Sequence, residues 1–452
     1  MSAATPAASV RAMPSTLARP AWGLAEFFII SQTAIPALLY LPGTQPIRFY
    51  VRVASFAISI GLLAWWAYGN AKSRQPHPAQ SWLVASMVYT AAMVLHPFTS
   101  SMVGGLAQLV LYVSVMAPVF WAPAIVRGPD HLARLMTLLL VCNGVNALVG
   151  VLQVYDPDRW MPQEMSRIVT ESAFGLGAVS YRGPNGQLIV RPPGLFDNPG
   201  AVAGPGMYAA LLGLVFATSA APLWKRALAL GGSFAGVAAI YLSQVRVSLV
   251  VLAVMLGAYV TVLVLHRRAQ RALLFGGIAA GIVVATFTFA ISLGGESIAK
   301  RTLTLFEQDP MSLYSASRGG QLVYTFDDLV STYPLGAGLG RWGMIAGYFG
   351  AGSQSLWAEI QVAGWAIDGG IPLVILGVAA PVIALLALWR MARHDRDPKV
   401  RACAAVALAA NLGTAALIFS FTPFVTQIGL QFWFLAGAVH GLATRPASPS
   451  RS

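Results

Sequence analysis

Twelve separate stretches of this chain are apolar over close to the length of a bilayer crossing, and that repetition constrains the fold more than any motif. A spanning helix needs about 20 mostly apolar residues. Runs of this kind occupy 22–40, 49–68, 81–97, 102–126, 132–154, 201–221, 226–243, 246–265, 271–293, 358–389, 402–421 and 427–443. The third and the last are the shortest. The tenth is long enough to tilt, or to begin outside the bilayer. Only 10% of the residues are charged, against about 25% in a soluble domain. A water-facing globule, a disordered chain and a disulfide scaffold are therefore excluded. The expected fold is an all-α polytopic membrane protein of about twelve transmembrane helices, a single integral membrane domain over residues 1–452.

The net charge of +13 is distributed with a clear bias. One side, taken as both termini and every even-numbered connection, holds 18 Lys and Arg against three acids, Asp130, Asp395 and Asp397. The other side holds 11 basic and 11 acidic residues, and Glu26 and Asp368 fall within the spans. Positive residues stay on the cytoplasmic side, so both termini are expected to be cytoplasmic. The excess charge then contacts anionic headgroups. Because it is divided among short loops rather than gathered in one patch, nucleic acid is not an expected partner. The first 21 residues carry two Arg and no acid. They suit a cytoplasmic tail before an uncleaved span, or an organellar transit sequence.

Two outward connections are long, 155–200 and 294–357, and both are rich in Gly, Pro and aromatics. Long connections in compact proteins tend to be functional or disordered, and these two are expected to be ordered and to rest partly on the membrane. Within the second, residues 317–331 read as an amphipathic helix. Leu322, Val323, Phe326, Leu329 and Val330 share one face, and Arg318, Gln321, Asp327 and Asp328 form a polar side. Pro334 ends it. Next comes a formal GxGxxG, Gly338 to Gly343. No βαβ unit surrounds it, so it is read as a tight backbone turn and not as a dinucleotide site.

Charged groups at the outer mouth are the candidate chemistry. Arg191 precedes the sixth span, Arg246 starts the eighth, and Arg318 opens the amphipathic helix. An Arg at an apolar boundary is costly unless it pairs or snorkels. Headgroup anchoring is the simpler reading for Arg48, Arg52 and Arg159. Arg191 and Arg246 lie in polar turns, where paired N–H donors suit a diphosphate. Glu359 lies at the start of the tenth span and Asp368 deeper within it, beside Gly369 and Gly370. Either carboxylate could move a proton, or could instead hold an Arg in place. Glu26, in the first span, is read as a packing hydrogen-bonder. Outside histidine is confined to His96, and no nucleophile motif or metal-binding spacing appears. Cys142 and Cys403 both lie in apolar runs and read as small hydrophobes.

Taken in order, these residues resemble the signature of the O-antigen ligase and O-antigen polymerase superfamily of bacterial membrane glycosyltransferases. The resemblance rests on RPPGLFDNPGAVAG with Arg191, SQVRVS with Arg246, and SRGG with Arg318 followed by YPLGAGLG and an aromatic, and it covers roughly 185–380. It implies transfer of glycan from an undecaprenyl-diphosphate carrier on the periplasmic face of the bacterial inner membrane, without metal or other cofactor. Arg191, Arg246 and Arg318 would bind the substrate. Ligases of the family carry a His-Asn pair ahead of an acid-x-Gly motif; counted back from Asp368-Gly369-Gly370, the His position holds Glu359. That departure favours a polymerase of O-antigen or exopolysaccharide, with Glu359 as the base and Asp368 next in line. The implied partners are the lipid-linked glycan, an acceptor glycan or lipid, the bilayer and a chain-length regulator. A ligase acting on lipid A core or protein is the alternative, and a lipid-linked glycan transporter is a further one.

The topology is open to a direct check. A cysteine introduced at Asp309 is expected to react with a membrane-impermeant thiol reagent from the periplasm. Reaction from the cytoplasm alone would reverse the orientation.

Overall fold

A computed structural model describes residues 22–69, 75–163, 165, 176–307, 309–349 and 355–444. The basic tail 1–21 lies outside the described residues. Each of the twelve apolar runs forms helix. In chain order these are α1 (Leu24–Ala37), α2 (Arg48–Gly69), α3 (Gln80–Met93), α4 (Met102–Met116) with α5 (Pro118–Ile125), and α6 (Pro129–Tyr155). After the first long connection come α7 (Ala203–Ala217), α8 (Leu223–Ser243), α9 (Arg246–Leu265) and α10 (Ala269–Gly294). The second long connection carries α11 (Glu296–Glu307), α12 (310–332) and α13 (Gly343–Phe349). The chain closes with α14 (Gln361–His394), α15 (Pro398–Ala416) and α16 (Gln427–Ala443). The first connection holds a small antiparallel hairpin, β1 (Ser180–Arg182) with β2 (Leu188–Val190), in which Ser180 faces Val190.

Among the described residues, eight helices are long and apolar enough to cross a membrane: α2, the joined stretch Met102–Ile125, α6, α8, α9, α10, α14 and Pro398–Phe419. Helix α3 has 14 residues and α7 has 15. At 1.5 Å per residue they span about 21 to 23 Å, less than the roughly 30 Å of a hydrocarbon core. Helix α7 is buried on all sides except at Phe216, and α16 is buried without a break from Ile428 to Leu442. Helices apolar all round belong at the centre of a bundle. Close approach to α8 requires small residues on α7: a Cβ on Gly206 would lie 2.8 Å from the Gly236 carbonyl oxygen.

Helix α14 is interrupted. Gly369 (φ −156°, ψ 17°) and Gly370 (φ 61°, ψ −154°) leave helical geometry eight residues after it begins. The turn 333–342 packs into this break. The Ala337 amide donates to the Ile367 carbonyl at 2.7 Å, and the Ile371 amide donates to the Pro334 carbonyl at 3.0 Å. Tyr89 donates its hydroxyl to the carbonyls of Gly369 and Leu335 at 3.0 and 3.2 Å. The far side of the turn meets the α3–α4 connection, where the Ser100 amide donates to the Leu339 carbonyl at 3.1 Å. GxGxxG is thus a close-approach device. Gly338 has φ +87°, and a Cβ there would lie 2.4 Å from the Thr99 backbone nitrogen.

The amphipathic helix differs from its expected face. Helix α12 contains two π-helical segments, Ser315–Gly319 and Thr325–Leu329. Wider turns shift the phase of the side chains. The buried stripe is therefore Gln321, Thr325 and Leu329, while Val323 and Phe326 are exposed. Gln321, assigned to the polar side by periodicity, is 4% exposed because it bonds to backbone at both ends of its amide.

Gly338→Ala should cost about 3 kcal/mol, from left-handed strain and backbone overlap together. The control is Gly231→Ala in α8, where an added Cβ meets nothing within 4 Å and helix propensity gains up to about 1 kcal/mol. Thermal unfolding in detergent micelles compares them, and equal stability of the two variants would refute the close-approach account.

Candidate functional site

Four arginines from four chain segments come together electrostatically. Arg191 follows β2, Arg246 begins α9, Arg301 lies on α11 and Arg318 lies in the first π segment of α12. Burial lowers the Arg191 guanidinium from its usual range, and the neighbouring Arg246 charge lowers it further, against an opposing effect of Tyr181. Arg301 is pushed down to about 10 by burial, then by Arg191 and Arg246. Arg318 is lowered by burial and then by Arg191. Like charges this close disfavour one another's charged form. At about 10, Arg301 nevertheless stays protonated at neutral pH.

Backbone and hydroxyl contacts hold these groups in place. The Arg191 amide donates to the Val179 carbonyl at 3.0 Å, fixing the residue at the end of the hairpin. Its buried Nε has no hydrogen-bond partner among the described residues. Neither does the hydroxyl of Tyr181, on β1. Burial raises the Tyr181 phenol while Arg191 opposes the shift. The turn between α8 and α9 runs through Gln244 at φ +55°, an uncommon conformation for a residue with a side chain. Arg246 Nη1 donates to Thr304 Oγ1 at 2.9 Å, and Arg301 Nε donates to the Gln244 carbonyl at 3.1 Å.

Glu359 forms an ion pair with Arg318, each side chain a little over one-third exposed. Gln321 sets the pair. Its Oε1 accepts the Glu359 amide at 2.9 Å and its Nε2 donates to the Trp357 carbonyl at 3.2 Å. The segment ahead of α14 is thereby pinned to α12 with Glu359 beside Arg318. A half-exposed pair of this kind contributes about 0–1 kcal/mol. It leaves the carboxylate reachable.

Asp368 sits elsewhere and is fully buried. Its Oδ2 accepts from Tyr112 Oη at 2.7 Å, Trp342 Nε1 at 2.8 Å and Gln108 Nε2 at 3.1 Å. Oδ1 is buried without a partner among the described residues. These donors come from α4 and from the glycine turn, so Asp368 ties both to the break in α14. None of its hydrogen bonds involves the arginines.

Two anchoring expectations are corrected. Arg48 and Arg52 do not reach for headgroups; both pair with Asp197, which is 3% exposed, with Arg48 Nε at 2.7 Å. An acid distant in sequence supplies the partner that a local reading cannot see. Arg159 is exposed with its guanidinium over the Trp160 ring. Glu26, buried in α1, pairs with Arg134 and with His131 Nε2 at 3.0 Å. Cys142 and Cys403 are free thiols. Arg301 and Tyr181 were missed from sequence. Arg301 sits in a charged stretch, ESIAKR, that reads as an ordinary solvated helix, and Tyr181 has no motif around it.

No protein-family model matches this chain, and a search of curated proteins finds no match.

Asp368→Ala should destabilise the protein by roughly 3 kcal/mol or more, because three buried donors lose their acceptor. Trp342→Phe removes one of them and should cost about 1 kcal/mol. Unfolding in detergent measures both, and wild-type stability of Asp368→Ala would remove its structural role.

Proposed function

We propose that the chain is a periplasmic-face glycosyltransferase of the inner membrane that polymerises glycan repeat units carried on undecaprenyl diphosphate. The observation that carries this reading is that α11 holds Arg301 at the turn that carries Arg246, through Gln244 and Thr304, with Arg191 near enough to disfavour the Arg301 and Arg318 charges and with Glu359 in contact with Arg318. A concentration of guanidinium charge with a reachable carboxylate against one of its members suits transfer from a diphosphate leaving group. In this reading the acceptor hydroxyl oxygen attacks the anomeric carbon of the donor sugar. The bond from that carbon to the phosphate oxygen breaks, and the diphosphate leaves with the electron pair. The hydroxyl proton passes to Glu359. The arginines stabilise the charge that develops on the leaving group, and removing one such donor typically costs about 2.7–4 kcal/mol in the barrier.

Glu359 standing where the resembled ligases have His favours the polymerase over transfer to lipid A core or protein. The proposed topology has twelve spans with cytoplasmic termini. The short helices α3 and α7 complete it within the bundle, alongside α1 and α16. A transporter is favoured by one feature, the break in α14, since interrupted helices line transport sites. Here the break is filled by the glycine turn, and Asp368 is occupied by three side chains, which speaks against a substrate path through it.

Arg191→Lys and Arg246→Lys should each reduce glycan extension at least about tenfold, because a point charge does not reproduce paired donors. Glu359→Gln should abolish extension while the protein accumulates normally. In vitro polymerisation with lipid-linked repeat units measures all three. Full activity in both Lys variants would sink the anion site, and polymer from the Gln variant would place the base elsewhere.

A further inference from the structure

Helix α11 carries a second feature that the sequence does not advertise. Three of its residues, Ser297, Arg301 and Thr304, fall on one face at i, i+4 and i+7. All three touch the α8–α9 turn. Gln244 Nε2 lies 3.4 Å from Ser297 Oγ, Arg301 Nε donates to the Gln244 carbonyl at 3.1 Å, and Thr304 Oγ1 accepts from Arg246 at 2.9 Å. The opposite side of α11 is solvated: Lys300 and Glu296 pair at 3.2 Å with both side chains more than three-quarters exposed. Helix α11 therefore lies across the turn with one arginine inward and its compensated charges outward.

We infer that Arg301 is a fourth ligand of the anion, and that it makes the site prefer a diphosphate to a single phosphate or phosphodiester. The inference rests on the function proposed above and names the group its site selects. Only the Nε of Arg301 is hydrogen-bonded among the described residues, which leaves its two terminal nitrogens for a ligand. Arg191, Arg246 and Arg301 have no acid partner among the described residues, whereas Arg318 has Glu359. Three uncompensated charges remain. A lipid-linked glycan diphosphate carries two negative charges while its sugar is attached. It gains a third as the anomeric bond breaks. The uncompensated set thus matches the departing diphosphate better than the intact donor, and an interaction that strengthens along the reaction is the kind that raises the rate. A phosphatidylglycerol headgroup offers one charge and leaves most of the repulsion in place.

The test uses the purified full-length protein in neutral detergent micelles, with inorganic pyrophosphate and orthophosphate as probes in calorimetric titration. Wild type should bind pyrophosphate at least about tenfold more tightly than orthophosphate. Arg301→Gln keeps an N–H donor for the Gln244 carbonyl and removes the charge. It should weaken pyrophosphate about tenfold and erase most of the preference. Its unliganded Tm should hold or rise, because a like charge has gone. Arg301→Lys serves if the Gln variant does not fold: a point charge without paired donors should weaken pyrophosphate binding, though less than Gln does, and wild-type affinity in it would overturn the inference. A Gln variant with wild-type pyrophosphate affinity would overturn the inference, most plainly if its unliganded Tm falls, since Arg301 would then only brace the turn. Competition by phosphatidylglycerol as effective as that of pyrophosphate would also overturn it, in favour of a headgroup anchor. If Arg246→Gln loses pyrophosphate while Arg301→Gln keeps it, the anion site stands without Arg301. If wild type binds no pyrophosphate, the anion site itself falls.

Discussion

A broken helix inside an apolar bundle exposes backbone groups that lipid cannot satisfy, and the answer to that problem organises the half of this protein that carries the second long connection. Gly369 and Gly370 interrupt α14. The groups freed there are taken by the glycine turn, Ile371 by Pro334 and Ile367 by Ala337, and by α3, whose Tyr89 takes the Gly369 carbonyl. Glycine is needed on both sides, because a Cβ on Gly370 would lie 2.1 Å from the Pro334 carbonyl oxygen. Asp368 then closes the junction from the side with Trp342, Tyr112 and Gln108. The segment carrying Glu359 leads directly into this rigid joint, and the other end of the turn leads back to α12 with Arg318. The junction thus anchors both segments, and Gln321 holds the Glu359 segment against α12 where the carboxylate meets Arg318.

Charge is handled in two ways in the same molecule. Arg48 and Arg52 share the buried Asp197, which joins α2 to the first long connection. Glu26 gathers Arg134 and His131 between α1 and α6. In both places opposite charges meet and the result is a tie between elements. At the arginine cluster Arg246 and Arg301 are held by neutral groups instead, a hydroxyl for Arg246 and a carbonyl for Arg301, while Arg318 alone of the four has an acid partner among the described residues, Glu359. Neutral tethers fix position and leave the charge uncompensated. Placing such groups together costs stability in the free protein, a pattern expected where a ligand supplies the missing counter-charge.

The membrane class, the predominantly helical content and the outline of each apolar helix were legible in the sequence, because they follow from local composition and run length, and a bilayer accepts few alternatives. Arg191, Arg246, Arg318 and Glu359 were also legible as candidates, since a charged group at an apolar boundary stands out against its neighbours. Which of them share a site was decided by folding. Arg301 looks like a solvated residue beside Lys300 and becomes part of the cluster only because α11 lies across the α8–α9 turn. Arg48 and Asp197 look unrelated until the first long connection folds back. Gln321 reads as polar surface by periodicity and is buried because π-turns rotate α12 under it. Asp368 reads as a reactive acid in a span and becomes a tie when three donors from distant segments converge on one oxygen. The physical reason is common to all four cases. Burial of apolar surface is encoded residue by residue along the chain, whereas the partner of a polar group is whatever the packed helices bring within about 3 Å, and that is a property of the tertiary structure alone.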